Sequence, residues 1–270
     1  MINARELIGR ADVLFVTLDT LRYDVARDAL AAGSTPNLAR ALPPCGWEER
    51  HTPASFTYAA HHSFFAGFLP TPTGPGPHPR LFAARFEGSD TTSERTCVFD
   101  APDIVSGLAA RGYHTACVGG VGFFNKQNPL GRVLPGFFDE SHWEPEFGVT
   151  EPRSTEHQIK RAVETLARVP RGRRVFLFLN VSAVHQPNRF YLPGAERDSL
   201  ASHAAALAYV DGQLPPLFAA LARRGASLVI LCSDHGTAYG EGGYYGHRVA
   251  HGVVWTVPYA EFVLPPEVCA

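Results

Sequence analysis

Three apolar runs that stop abruptly at acidic or imidazole side chains constrain this chain more than any other feature. "DVLFVTL", Asp12 to Leu18, runs into Asp19. "RVFLFLNVSAVHQP" leads to His185, and "SLVILCSDHG" leads to Asp234 and His235. A run with no polar alternation has no solvent face. Each therefore reads as a strand covered on both sides, the pattern of a parallel sheet.

Helical segments separate these runs. "STPNLARAL" offers Ser34 or Thr35 as a cap and Pro36 in the first turn. "DAPDIVSGLAARGYHTACVGG" reads as a helix closed by Gly112, then a strand from His114 to Val118. "STEHQIKRAVETLARV" places Ile159, Val163 and Leu166 on one helical face. A long helix over "LASHAAALAYVDGQLPPLFAALARRG" is expected to kink or split at Pro215 and Pro216, and "VPYAEFVLPP" reads as a last strand. Alternating strands and helices imply an α/β fold, a three-layer sandwich with a mostly parallel central sheet and helices on both faces. No repeat and no linker divides the chain, so residues 1–270 read as one domain. Residues 70–96, rich in Pro and Gly, read as a long surface loop.

Ligands of such sheets bind at the carboxyl ends of the strands. Asp19, His185, Asp234 and His235 all stand there. Oxygen and nitrogen donors gathered in this way suit one divalent cation, Zn, Mn or Ca, with a second metal left open. Asp234 and His235 can serve one ion only if the chain kinks after the strand, which Gly236 permits. Each residue also has a plainer reading: Asp19 as the cap of a helix near Leu21, Asp234 as a turn residue, the histidines as hydrogen-bonded structural groups. "HTPASFTYAAHHSFFAGFLP" adds Thr57 at the front of a helix, with His61 four residues on along the same face. That hydroxyl is either a helix cap or a nucleophile activated by a cation. Periodicity leaves both open.

Composition narrows the partners. The net charge of -2 gives no general attraction to nucleic acid or anionic membranes. The five cysteines include no CxxC pair and read as free thiols, and the start of the chain carries no uninterrupted apolar stretch. A cytoplasmic location is the expectation.

The ordered set "DVLFVTLDTLRYD", "TPNLARAL", "AGFLP", "GLAARGYHTACVGG", "HQPN", "AALAYVDGQL" and "SDHGTAYGEGG" resembles the sulfatase branch of the alkaline phosphatase superfamily along nearly the whole chain. The resemblance implies an alkaline phosphatase-like fold and transfer of a phosphoryl or sulfuryl group through a covalent intermediate. It implies metal ligands at Asp19, Thr57, Asp234 and His235, with Thr57 as nucleophile where sulfatases carry a Cys. His185 and His247 become candidates to protonate the leaving alcohol, and His61, Arg22 and Arg248 candidates to steady the nonbridging oxygens. The departures carry weight. No Cys is available for conversion to formylglycine, "GGVG" at 119–122 replaces the usual G-K-W-H, Thr20 replaces the second acid, and His61 replaces an Arg. A Thr nucleophile is similar to that of lipoteichoic acid synthases and phosphoethanolamine transferases. The implied substrate is a small-molecule phosphate mono- or diester. The alternatives are a sulfate ester cleaved without formylglycine, or a phospho-ligand-binding protein without turnover. Residues 120–152 read as loop covering the core, or as a pocket wall in which Phe123, Phe124, Asn125 and Trp143 grip an aromatic or sugar-like group.

Overall fold

In the computed structural model the strands β1 (Asp12–Leu18), β2 (Glu48–His51), β3 (His114–Val118), β4 (Glu140–His142), β5 (Val175–Val181), β6 (Ser227–Cys232) and β7 (Thr256–Leu264) form one sheet. Their spatial order is β2-β7-β6-β1-β5-β3-β4. The structure describes residues 2–67 and 103–267, with the short strands Phe82–Ala83 and Cys97–Val98 between them. Apart from Phe82–Ala83, the loop expected over 70–96 lies outside the described residues.

β1 pairs in parallel with β5 and β6, and β3 pairs in parallel with β5 and β4. β7 runs against both β6 and β2. Every residue of β1 and β5 is buried, which is what their unbroken apolar sequences require. The edge strands β2 and β4 are short and carry charged residues, and so lack the signal that identifies the central ones.

The helices α1 (Tyr23–Ala31), α2 (Pro36–Ala41), α3 (Thr57–Ala66), α4 (Ile104–Ala110), α5 (Ser154–Arg168), α6 (Leu200–Gln213) and α7 (Pro215–Arg224) cover the sheet. Alternation along β1 divides the core. Leu14, Val16 and Leu18 face α1, α2, α5, α6 and α7. Val13 and Phe15 face the other way, toward Phe65 of α3 and Val105 and Leu108 of α4. Pro215 does split the long helical segment, ending α6 at Gln213 and starting α7. The same alternation directs Thr17 and Asp19, and Asn180 on β5, to the α3 side. Thr17 lies opposite Asn180 in the register. Phe65 and Phe178 meet edge to face on this side, with ring centroids 5.2 Å apart, and anchor α3 on the sheet.

Candidate active site

Asp19 leaves the carboxyl end of β1, and Asp234 and His235 follow β6, two and three residues past Cys232. One oxygen from each carboxylate and one nitrogen of His235 lie within 4.8 Å of one another, and all three residues are buried. The chain bends at Asp234, just past the strand. The Gly236 amide donates to the Val254 carbonyl at 2.8 Å, and a Cβ at this position would stand 2.0 Å from the Val253 carbonyl oxygen. Only glycine permits that approach. The bend at Asp234 brings the two adjacent side chains to one centre.

Thr57 is the first residue of α3. Phe56 occupies the N-cap position and makes no side-chain cap bond. The Thr57 hydroxyl turns inward instead, donating toward Asp19 Oδ2 at 3.4 Å and standing 3.3 Å from His235 Nε2. The helix-cap reading of Thr57 is thereby replaced. Asp19 does not cap a helix either, since α1 begins at Tyr23 with Arg22 as its N-cap. At Thr20 the backbone takes φ 65°, costly for a β-branched residue. The turn aims the Thr20 amide at Asp234 Oδ1, 3.3 Å away.

The donor set fits a divalent cation. Asp19 Oδ2 accepts from Asn180 Nδ2 at 3.3 Å, and Asp234 Oδ1 from the His235 amide at 3.1 Å. Asp19 Oδ1 and Asp234 Oδ2 are buried and have no hydrogen-bond partner. An orphaned buried carboxylate oxygen is costly without a cation. His235 Nδ1 donates to the Gly236 carbonyl at 2.9 Å, which leaves the Nε2 lone pair facing Asp234 Oδ2 at 3.5 Å and Asp19 Oδ1 at 3.9 Å. Burial, then the neighbouring charge of Asp234, pushes Asp19 up to about 6. Burial pushes Asp234 up to about 7 and His235 below its ordinary value. Two reluctant carboxylates and a neutral imidazole with one free nitrogen are what a cation resolves.

The sequence did not single out Thr17 or Asn180, which support this centre. Asn180 Nδ2 donates to Thr17 Oγ1 at 3.2 Å as well as to Asp19. Thr17 Oγ1 lies 3.0 Å from His61 Nε2, and His61 Nδ1 lies 2.7 Å from the Thr57 carbonyl. A consistent assignment has His61 donating to Thr57 and accepting from Thr17. Their one available signal was a polar residue inside an otherwise apolar strand.

Two candidates for holding substrate oxygens stand elsewhere. His61 is fully buried, its ring set edge-on to Phe124 and Phe178 at 5.2 and 5.5 Å. Burial drives it down to about 3, so it is a neutral strut beneath Thr57 rather than a contact for an anion. Arg22 is buried and held by Asp24, at 2.6 Å, and by Glu241. Its donors are spent on tying α1 to the segment that follows His235.

The others converge. A cavity of about 450 Å3 opens at Thr57, with His185, His247 and Arg248 among its lining. The ring of His247 lies 4.7 Å from that of His235 and 5.6 Å from that of His185. Burial holds His247 down to about 3. Arg248 is also in the left-handed region, at φ 66°, with its guanidinium 5.6 Å from the Phe56 ring centroid. Phe123 and Asn125 line the cavity, as the pocket-wall reading requires. Phe124 instead is buried beneath His61, and Trp143 Nε1 donates to the Gly120 carbonyl at 3.1 Å.

The family model described as Sulfatase matches residues 11–256. No curated protein matches the chain. Among solved structures, the periplasmic domain of the phosphoethanolamine transferase EptC from Campylobacter jejuni is similar, with TM-score 0.62 and 14% identity over 94% of this chain and 80% of that one. The periplasmic domain of EcEptC from Escherichia coli, in complex with Zn, superposes with TM-score 0.66 and 11% identity over 95% of this chain and 73% of that one. The lipoteichoic acid synthase LtaP from Listeria monocytogenes gives TM-score 0.63 and 15% identity over 95% of this chain and 66% of that one. These structures share the fold.

Proposed function

The chain belongs to the sulfatase family, and on that premise we propose that residues 1–270 form one catalytic domain that transfers or hydrolyses a phosphoryl ester through Thr57. The observation that carries this reading is the Thr57 hydroxyl, 3.4 Å from Asp19 and 3.3 Å from His235, beside two orphaned carboxylate oxygens. Asp19, Asp234, His235 and Thr57 would hold one divalent cation, for which zinc is the first choice because a similar fold from Escherichia coli carries Zn. When bound, the cation lowers the pKa of a neighbouring hydroxyl and offsets charge on the group transferred.

The residues themselves divide the rest of the work. Thr57 Oγ1 attacks phosphorus and releases its proton toward Asp19 Oδ2. The phosphorus–oxygen bond to the leaving alcohol breaks as the new bond to Thr57 forms. The alcohol takes a proton from His185, which lines the cavity with Thr57. Water or a second alcohol then attacks the Thr57 ester and gives its proton to His185, while the phosphorus–oxygen bond to Thr57 breaks and Thr57 Oγ1 takes back the proton held on Asp19. Arg248 lines the cavity and neutralises a nonbridging oxygen.

A hydroxyl nucleophile in place of formylglycine favours phosphoryl over sulfuryl transfer. Thr57→Ala should keep the circular dichroism of the parent and lower turnover of bis(p-nitrophenyl) phosphate by roughly a thousandfold or more. Unchanged turnover removes Thr57 from the mechanism, and faster cleavage of nitrophenyl sulfate by the parent chain replaces phosphoryl with sulfuryl transfer.

A further inference from the structure

The lining of the cavity at Thr57 contains two unlike sets of residues. One is His185, His247 and Arg248. The other is Val121, Phe123, Leu130 and Val149. No carboxylate lines the cavity among the described residues. The Phe123 ring is fixed by Tyr58 of α3, with centroids 5.4 Å apart and planes 32° from parallel. Tyr58 directly follows Thr57, so this wall is tied to the nucleophile's own helix. The two asparagines along the wall have spent their side-chain oxygens on backbone. Asn125 Oδ1 accepts from the Gln127 amide at 3.0 Å, and Asn128 Oδ1 from the Gly131 amide at 2.8 Å.

From this composition we infer that the organic group of the ester is neutral and apolar, an aryl or branched alkyl group that packs against Phe123, Leu130 and Val149. An ammonium-bearing group such as an ethanolamine ester fits less well: among the described residues the wall supplies no anion to pair with it, and desolvating an unpaired ammonium against Leu130 and Val149 is unfavourable. About 450 Å3 is ample for a phosphoryl group and one aromatic ring together. The inference deepens the phosphoryl-ester reading and rests on it for the position of the transferred group.

Two phosphonates separate the organic group from any turnover, because their carbon–phosphorus bond is not an ester bond. Phenylphosphonate carries the ring, and 2-aminoethylphosphonate carries the ammonium. Isothermal titration calorimetry on the zinc-loaded protein should give phenylphosphonate a dissociation constant at least about tenfold lower. Phe123→Ala should reduce that preference to within about threefold while leaving 2-aminoethylphosphonate unchanged. Because Phe123 also packs on Tyr58, Leu130→Asp is the second variant. It supplies a carboxylate and should reverse the order of the two ligands. Equal or tighter binding of 2-aminoethylphosphonate by the parent chain overturns the inference. So does a phenyl preference that survives both substitutions, or no measurable binding of either phosphonate. Loss of the Thr57 role alone looks different: the phenyl preference persists while turnover of bis(p-nitrophenyl) phosphate is unaffected by Thr57→Ala.

Discussion

Replacing His61 by Leu asks whether this residue supports Thr57 or touches substrate. The ring is fully buried, and both nitrogens are committed, to Thr17 Oγ1 at 3.0 Å and to the Thr57 carbonyl at 2.7 Å. Leucine has a similar volume, so the aromatic surroundings of Phe64, Phe65, Phe124 and Phe178 keep most of their contacts. What is lost is polar. The Thr17 hydroxyl is left without an acceptor, at about 1–3 kcal/mol, and the Thr57 carbonyl loses one of two partners, at about 0.5–1.5 kcal/mol, for a total of about 1.5–4.5 kcal/mol. The Thr57 carbonyl retains its place at the start of α3 only through the helix itself, so the nucleophile should also lose its fixed position. Urea unfolding monitored by circular dichroism reads the first effect. The ratio of kcat to KM for bis(p-nitrophenyl) phosphate reads the second: kcat should fall with KM nearly unchanged. His61→Gln, which can keep one of the two bonds, should recover part of both losses. A variant with parental stability and a raised KM alone would refute the argument and return His61 to the substrate.

Three further outcomes follow from the same geometry. Asn180→Ala removes the donor that orients Asp19 Oδ2, and should weaken zinc binding about 10–100-fold in a competition titration without abolishing it. Zinc affinity should fall as pH drops below about 7, because Asp234 and then Asp19 take up protons that compete with the ion; calorimetry between about pH 5 and about pH 8 reads this slope. Metal-free protein should lose stability as pH falls through 6.5, the ordinary histidine value. Burial holds His61, His203 and His247 down to about 3 when folded, so the unfolded chain binds protons that the native one refuses. Asp19 and Asp234 act in the opposite sense, since their raised values favour the folded state as pH falls, and they offset part of that loss. Urea midpoints across the range give the sign of the sum.

The sheet was legible wherever burial on both faces erases polar alternation. β1, β5 and β6 announce themselves, and with them the positions of Asp19, His185, Asp234 and His235. The edge strands Glu48–His51 and Glu140–His142 were not, because exposed charged pairs in an edge strand look like loop. The direction of β7 was equally hidden, since an apolar strand reads the same in either orientation. Site residues were legible by their chemistry but not by their orientation. His61 shares a helical face with Thr57, yet that face turns into an aromatic layer, and Arg22 finds Asp24 two residues away before it finds any anion. Thr17 and Asn180 become significant only when the register sets them side by side. Phe123 and Phe124 are adjacent and alike in sequence. One lines the cavity and the other supports His61, a division made by the single turn Gly122–Phe124.

The central claim is that Asp19, Asp234 and His235 hold one cation against Thr57 Oγ1. Anomalous diffraction from crystals grown with zinc, collected on both sides of the zinc absorption edge, tests it most directly. The account predicts one strong peak within bonding distance of Asp19 Oδ1, Asp234 Oδ2, His235 Nε2 and Thr57 Oγ1. A fully occupied ion that leaves Thr57 out of reach, or a zinc-saturated crystal with no peak between the two carboxylates, would contradict it.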